Sequence, residues 1–148
     1  MSGQARDPQL AALDRLVGTW KVTGGAEGEV TYRWLDGGLF LVQDVALEQY
    51  GEGVRGMEVI GRERTFGADE PSAEIKSRFY GNGGETLDYV YELDGDVLTI
   101  WCGERGSPAY LRSTFDASGN VLDGAWVYPG GGGYPSTATR IAPGEQIG

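Results

Sequence analysis

The sequence predicts an all-β fold: an antiparallel up-and-down barrel of about ten strands, preceded by one short helix. Three observations carry this. Apolar residues recur with a period of two from Trp20 to Ile141, as half-buried strands require. The runs are separated every 8 to 12 or so residues by Asp-Gly, Asn-Gly and Gly-Gly turns, the spacing of an all-β meander. No helical period follows Val17. A meander this long exposes two edges unless it closes on itself, and closure favours a barrel.

The first element is the helix. "PQLAALDRLV", residues 8–17, sets Leu10, Leu13, Leu16 and Val17 at helical spacing, with Asp7 as N-cap and Pro8 at the first position. "LVGTWKVTGG" then brings Trp20 into the first strand. "GEVTYRW" sets Val30, Tyr32 and Trp34 against Glu29, Thr31 and Arg33. Strand-like runs continue at Leu39 to Leu47, Val54 to Arg64 and Ala73 to Tyr80. "TLDYVYEL" follows, with Leu87, Tyr89, Tyr91 and Leu93 on one face. The remaining runs are Val97 to Cys102, Ala109 to Phe115, Val121 to Tyr128 and Thr137 to Ile141. The spacers "LDGG", "GNGG", "LDGD" and "DASGN" supply the positive φ that tight hairpins need.

The 148 residues form one expected domain, with flexible ends at 1–7 and 143–148. A net charge of −10 opposes partnership with nucleic acid or an anionic membrane. No apolar run is long enough for a membrane span, and "MSGQARDPQL" has no secretory pattern, so the expected compartment is the cytoplasm. Cys102 is the single cysteine and is read as a small buried hydrophobe. With no histidine in the chain, Ser-His-Asp and Cys-His machinery and His-ligated zinc or haem are excluded. "PGGGGYP" lacks the Lys-Ser/Thr and the helix of a phosphate loop, and reads as a hairpin loop near the barrel mouth.

The helix, Gly18-Thr19-Trp20 and a last strand "TATRI" bearing Arg140 together resemble the calycin superfamily of lipocalin-like barrels. The resemblance places Trp20 under the barrel floor with Arg140 across its ring, as structural residues. "YRWLDGGLFLVQDV", "GMEVIGRE" and "GAWVYPGGGGY" are similar to a lipocalin-like family labelled as a domain of unknown function, close to bacterial nitrobindin-like and haem-binding-like barrels. It spans roughly residues 10 to 142. Nitrobindin-like proteins hold haem iron through a histidine, so haem does not carry over, and no cofactor is expected.

With Trp20 inward, alternation directs Val22, Val30, Tyr32, Trp34, Leu87, Tyr89 and Tyr91 into the barrel, followed by Val97, Thr99, Trp101, Leu122, Trp126 and Tyr128. These aromatics either fill the interior as a core or line a cavity for an amphipathic guest. One of Gln43 and Asp44 faces inward. Ser77, Arg112 and Ser113 are further polar candidates, whereas Glu58, Arg62 and Glu63 read as an outer charge ladder. The expected ligand-binding set is Tyr32, Trp34, Gln43, Tyr89, Tyr91, Trp101, Trp126 and Tyr128. The expected function is to bind a small hydrophobic or aromatic molecule. The alternative is a cofactor-independent cyclase or isomerase with Asp44 or Tyr89 as general acid. A homodimer through one barrel face is compatible with the sequence.

Overall fold

A computed structural model describes residues 6–143. The helical segment has two parts, α1 (Pro8–Ala11) and a 3-10 helix (Ala12–Leu16). Asp7 caps α1, its Oδ1 accepting the Leu10 N–H at 3.0 Å. Of the ends expected to be flexible, 1–5 and 144–148 lie outside the described residues, while Asp7 is tied down by this cap.

Ten strands follow: β1 (Gly18–Gly24), β2 (Glu27–Trp34), β3 (Phe40–Gln49), β4 (Glu52–Gly61), β5 (Ile75–Gly81), β6 (Thr86–Asp94), β7 (Val97–Cys102), β8 (Tyr110–Phe115), β9 (Val121–Val127) and β10 (Tyr134–Pro143). Each pairs antiparallel with its sequence neighbours, and β10 closes on β1, giving the closed barrel that the period-two pattern predicts. This architecture is consistent with the calycin-like barrel that the resemblance implies. β4 stops three residues short of the predicted run, and β10 starts three earlier, at Tyr134.

Turn chemistry sets the register. Tyr50 and Gly51 both have positive φ, 53° and 79°, and make a two-residue hairpin turn that pairs Gln49 with Glu52. Gly95, at φ 60°, does the same between Asp94 and Val97. Because directly opposed residues share a face, each turn commits its two strands to one phase.

The helical segment plugs one end. Leu10, Leu13 and Leu16 are buried against the barrel core. Trp20 is buried and donates its Nε1–H to the Leu16 carbonyl at 2.8 Å. A register shift between Thr19 and Trp20 brings Trp20 opposite Arg140, whose guanidinium lies 4.3 Å from the indole centroid. The same guanidinium donates to the carbonyls of Arg15, at 2.6 Å, and Val17. Trp20 and Arg140 therefore join the last strand to the helix and close the floor.

Arg62 corrects the surface-ladder reading. Just past the end of β4, Arg62 donates to Asp7 Oδ2 at 2.7 Å, to Gln9 Oε1 at 2.8 Å and to the Ala73 carbonyl at 2.6 Å. It fastens the segment before α1 and the loop 62–74 to the floor end. Beside this guanidinium the Asp7 carboxyl falls from its ordinary 3.8 to about 2.

The outer face carries charge pairs, among them Arg33–Asp44 at 3.7 Å and Arg78–Asp88 at 2.7 Å, alongside exposed apolar residues such as Met57, Tyr80 and Val127. Among the described residues no helix is long and apolar enough to cross a membrane.

Candidate functional site

Inside the barrel the side chains leave a cavity of about 290 Å³, at the small end of ligand pockets. Its floor is Leu16, Trp20, Leu98 and Leu122. Towards the opposite end, where the 25–26, 50–51 and 128–133 turns lie, it is rimmed by aromatic rings. Trp126 and Tyr128 stack nearly parallel with centroids 6.1 Å apart, Tyr89 tilts against Trp126 at 6.1 Å, and Tyr134 leans on Tyr128 at 6.4 Å. The "PGGGGYP" segment thus forms part of the mouth, as expected of a β9–β10 hairpin loop.

Between floor and rim lies a polar cluster centred on Glu58. The β3–β4 turn pairs Gln43 with Glu58, the β2–β3 register pairs Tyr32 with Gln43, and all three side chains face inward. Glu58 is only 5% exposed. Its Oε2 accepts the Ser77 hydroxyl at 2.6 Å and the Tyr91 hydroxyl at 2.7 Å. Gln43 Nε2 donates to the Tyr32 hydroxyl at 2.9 Å. Glu58 is the sole carboxylic acid among the lining residues, which include no Lys, Arg or His.

Burial raises the Glu58 carboxyl above its ordinary value, against the lowering pull of its two hydroxyl donors. Burial first, and the nearby Glu58 second, also raise the hydroxyls of Tyr32, Tyr89 and Tyr91. The tyrosines therefore stay protonated near neutral pH. The enclosure offers neutral hydroxyl and amide groups, one carboxyl and stacked rings, which together are compatible with holding a small molecule.

The structure brings Tyr32, Gln43, Tyr89, Tyr91, Trp126 and Tyr128 to the cavity wall, as alternation predicts. It separates three other candidates from it. Trp34 sits at the floor end, its Nε1 donating to Asp14 Oδ1 at 2.8 Å with Arg6 stacked 4.6 Å from its ring. It belongs to the contact between β2 and the helical segment. Asp44 points outward to Arg33, because its neighbour Gln43 takes the inward phase. Its expected position as an enclosed general acid is corrected accordingly.

Trp101 is also outside. Its Nε1 donates to Glu92 Oε1 at 2.6 Å, and it packs with Tyr110 at 5.2 Å under Arg112. The β6–β7 turn explains this. It pairs Tyr91 with Ile100 and Leu93 with Leu98, so Leu98 and Ile100 face inward while Val97, Thr99 and Trp101 face out. The same turn in the sequence, followed residue by residue from Tyr91, carries that signal.

Glu58, which the sequence reads as part of an outer charge ladder, is instead buried at the cavity wall. Its signal was the alternation Met57-Glu58-Val59-Ile60, which puts Glu58 on the face of Ile60, a fully buried residue. Ser77 and Ser113, both polar candidates from sequence, are buried inward, whereas Arg112 lies outside over Tyr110 at 4.7 Å.

Compared with protein-family models and with curated protein sequences, the chain matches none.

Proposed function

We propose that this barrel binds one small, mainly apolar or aromatic molecule that carries a single polar group. The observation that carries the reading is the cavity itself: aromatic at the mouth, apolar at the floor, with one polar cluster between them. Tyr and Trp line such a site well because each offers a large apolar face and one donor. The ligand-binding residues in this reading are Tyr32, Gln43, Glu58, Tyr89, Tyr91, Trp126 and Tyr128. The cavity is built by one chain, so binding needs no second copy, and the protein acts as a single cytoplasmic domain without cofactor.

The reading places the chain near the lipocalin-like family of unknown function and the nitrobindin-like barrels. It does not extend to their haem, since the chain contains no histidine and its lining residues no cysteine. A second reading, a cofactor-independent cyclase or isomerase, is favoured by the enclosed Glu58, which would take the general-acid role with Tyr89 beside it.

Native mass spectrometry of the protein purified from its own host, set against the denatured mass, tests the binding reading. A small molecule lost on denaturation supports it, and its chemical structure chooses the substrates for the second reading. No bound mass, together with no saturable quenching of tryptophan fluorescence by a panel of planar aromatics, would defeat it.

A further inference from the structure

The two hydroxyl donors on Glu58 converge on one oxygen. Ser77 and Tyr91 both donate to Oε2, while Oε1 accepts no hydrogen bond among the described residues. This asymmetry suits a carboxylic acid whose carbonyl oxygen is Oε2 and whose hydroxyl is Oε1. The surroundings favour it. Facing Glu58 are Tyr32 from β2, Gln43 from β3, Ser77 and Phe79 from β5, and Tyr89 and Tyr91 from β6. None is a cation, and no lining residue of the far wall is charged. An ionised carboxylate buried without a counter-charge is costly, and a protein relieves that cost by keeping the proton.

A protonated Oε1 has a donor to offer, with no described protein group accepting it. Gln43 turns its Nε2 to the Tyr32 hydroxyl and makes no hydrogen bond to Glu58, and the Ser77 and Tyr91 hydroxyls are both engaged at Oε2. The missing partner is therefore an acceptor, and it has to come from the cavity.

Resting on the binding reading above, we infer that Glu58 Oε1 is the anchoring hydrogen-bond donor of this cavity, and that the ligand presents to it a neutral oxygen acceptor such as a ketone or aldehyde carbonyl. The aromatic rim then holds the ligand's apolar body. Cationic amines and carboxylates are the disfavoured classes: the former would require Glu58 to ionise, and the latter would bring a second buried acid to it.

Three naphthalene probes of similar size separate the possibilities: 2-acetylnaphthalene, 2-isopropylnaphthalene and 2-(aminomethyl)naphthalene. Their affinities are measured by two-dimensional NMR titration of the full chain. In the wild type at pH 6 the ketone should bind about fivefold to tenfold more tightly than the hydrocarbon, the range of one net hydrogen bond in an enclosed site. This preference should fall as pH rises and Glu58 ionises. Glu58→Gln keeps a donor in the same place and should retain the preference without its pH dependence. Glu58→Met should abolish the preference, the ketone then binding no more tightly than the hydrocarbon.

Equal binding of ketone and hydrocarbon in the wild type would overturn the inference while leaving the cavity reading standing. So would tightest binding by the amine. Failure of all three probes to bind would defeat both. Should Glu58→Met not fold, the wild-type pH profile against that of Glu58→Gln decides alone. Infrared difference spectra of these two proteins give an independent readout. A protonated-carboxyl stretch at pH 6 that is absent from Glu58→Gln supports the inference, and a carboxylate band in its place overturns it.

Discussion

Replacing Arg140 tests whether the floor is held by one side chain. Arg140→Met removes the cation over Trp20, at 4.3 Å, and two donors to the carbonyls of Arg15 and Val17. A partly desolvated cation–π contact contributes about 1 to 2 kcal/mol. Two backbone carbonyls losing charged donors cost about 1 to 1.5 kcal/mol each. The methionine chain still covers part of the indole and restores about 1 kcal/mol of packing. The net expectation is a loss of about 3 kcal/mol. For a domain of this length that lowers Tm by roughly 6 to 12 °C.

Arg140→Lys keeps the charge but has one compact head in place of the planar fork, and should lose roughly half as much. The assay is urea unfolding with Tm from calorimetry, using near-ultraviolet circular dichroism to follow the Trp20 environment. A change below about 0.5 kcal/mol for Arg140→Met, the range of an ordinary surface substitution, would refute the reasoning. A lysine variant as stable as wild type would refute the part assigned to the fork.

Three further predictions follow. Glu58 is raised in the folded state above its ordinary value of 4.5, so its contribution to stability is full below that value and is lost as pH rises through the folded value. Urea midpoints measured across that range should therefore decline in the wild type more than in Glu58→Gln; identical slopes would contradict the burial argument. Asp7, lowered to about 2, contributes above its ordinary 3.8 and loses that contribution as pH falls towards 2. Asp7→Ala, which loses both the cap and the Arg62 pair, should cost about 1 to 2 kcal/mol at pH 7, much of it the cap, and less near pH 2, by chemical denaturation. Trp126→Phe should remove most of the fluorescence response to a cavity ligand, whereas Trp101→Phe, on the outer face, should leave it unchanged; the reverse would place the ligand outside the barrel.

Most of the barrel was legible because its signals are local. Asp7-Pro8 announces the helix start, Asp-Gly and Gly-Gly mark the hairpins, and alternation from Val30 to Trp34 identifies a half-buried strand without knowledge of its partners. What failed was phase. Alternation puts Val97, Thr99 and Trp101 of β7 on one face and reads that face as the inner one, but alternation within a single strand does not fix which face is inward. Trp101 is instead satisfied outside by Glu92 and by the Tyr110 ring. Glu58 failed for the opposite reason. A charged residue among Arg62 and Glu63 looks like surface, and only the inward phase shared with Gln43 and Ile60 reveals it as buried.

The sequence by itself determined the architecture: the number of strands and the turns between them. It also settled that no histidine chemistry operates here. These follow from residue types and short-range periodicity, which any single segment carries. The tertiary structure decided which face of each strand looks inward, and so which polar groups meet. Glu58, Ser77 and Tyr91 lie on three strands and are distant in sequence, with Glu58 and Tyr91 separated by 33 residues. Their hydrogen bonds exist because each hairpin passes its register to the next around a closed sheet. A one-residue slip would reverse that face.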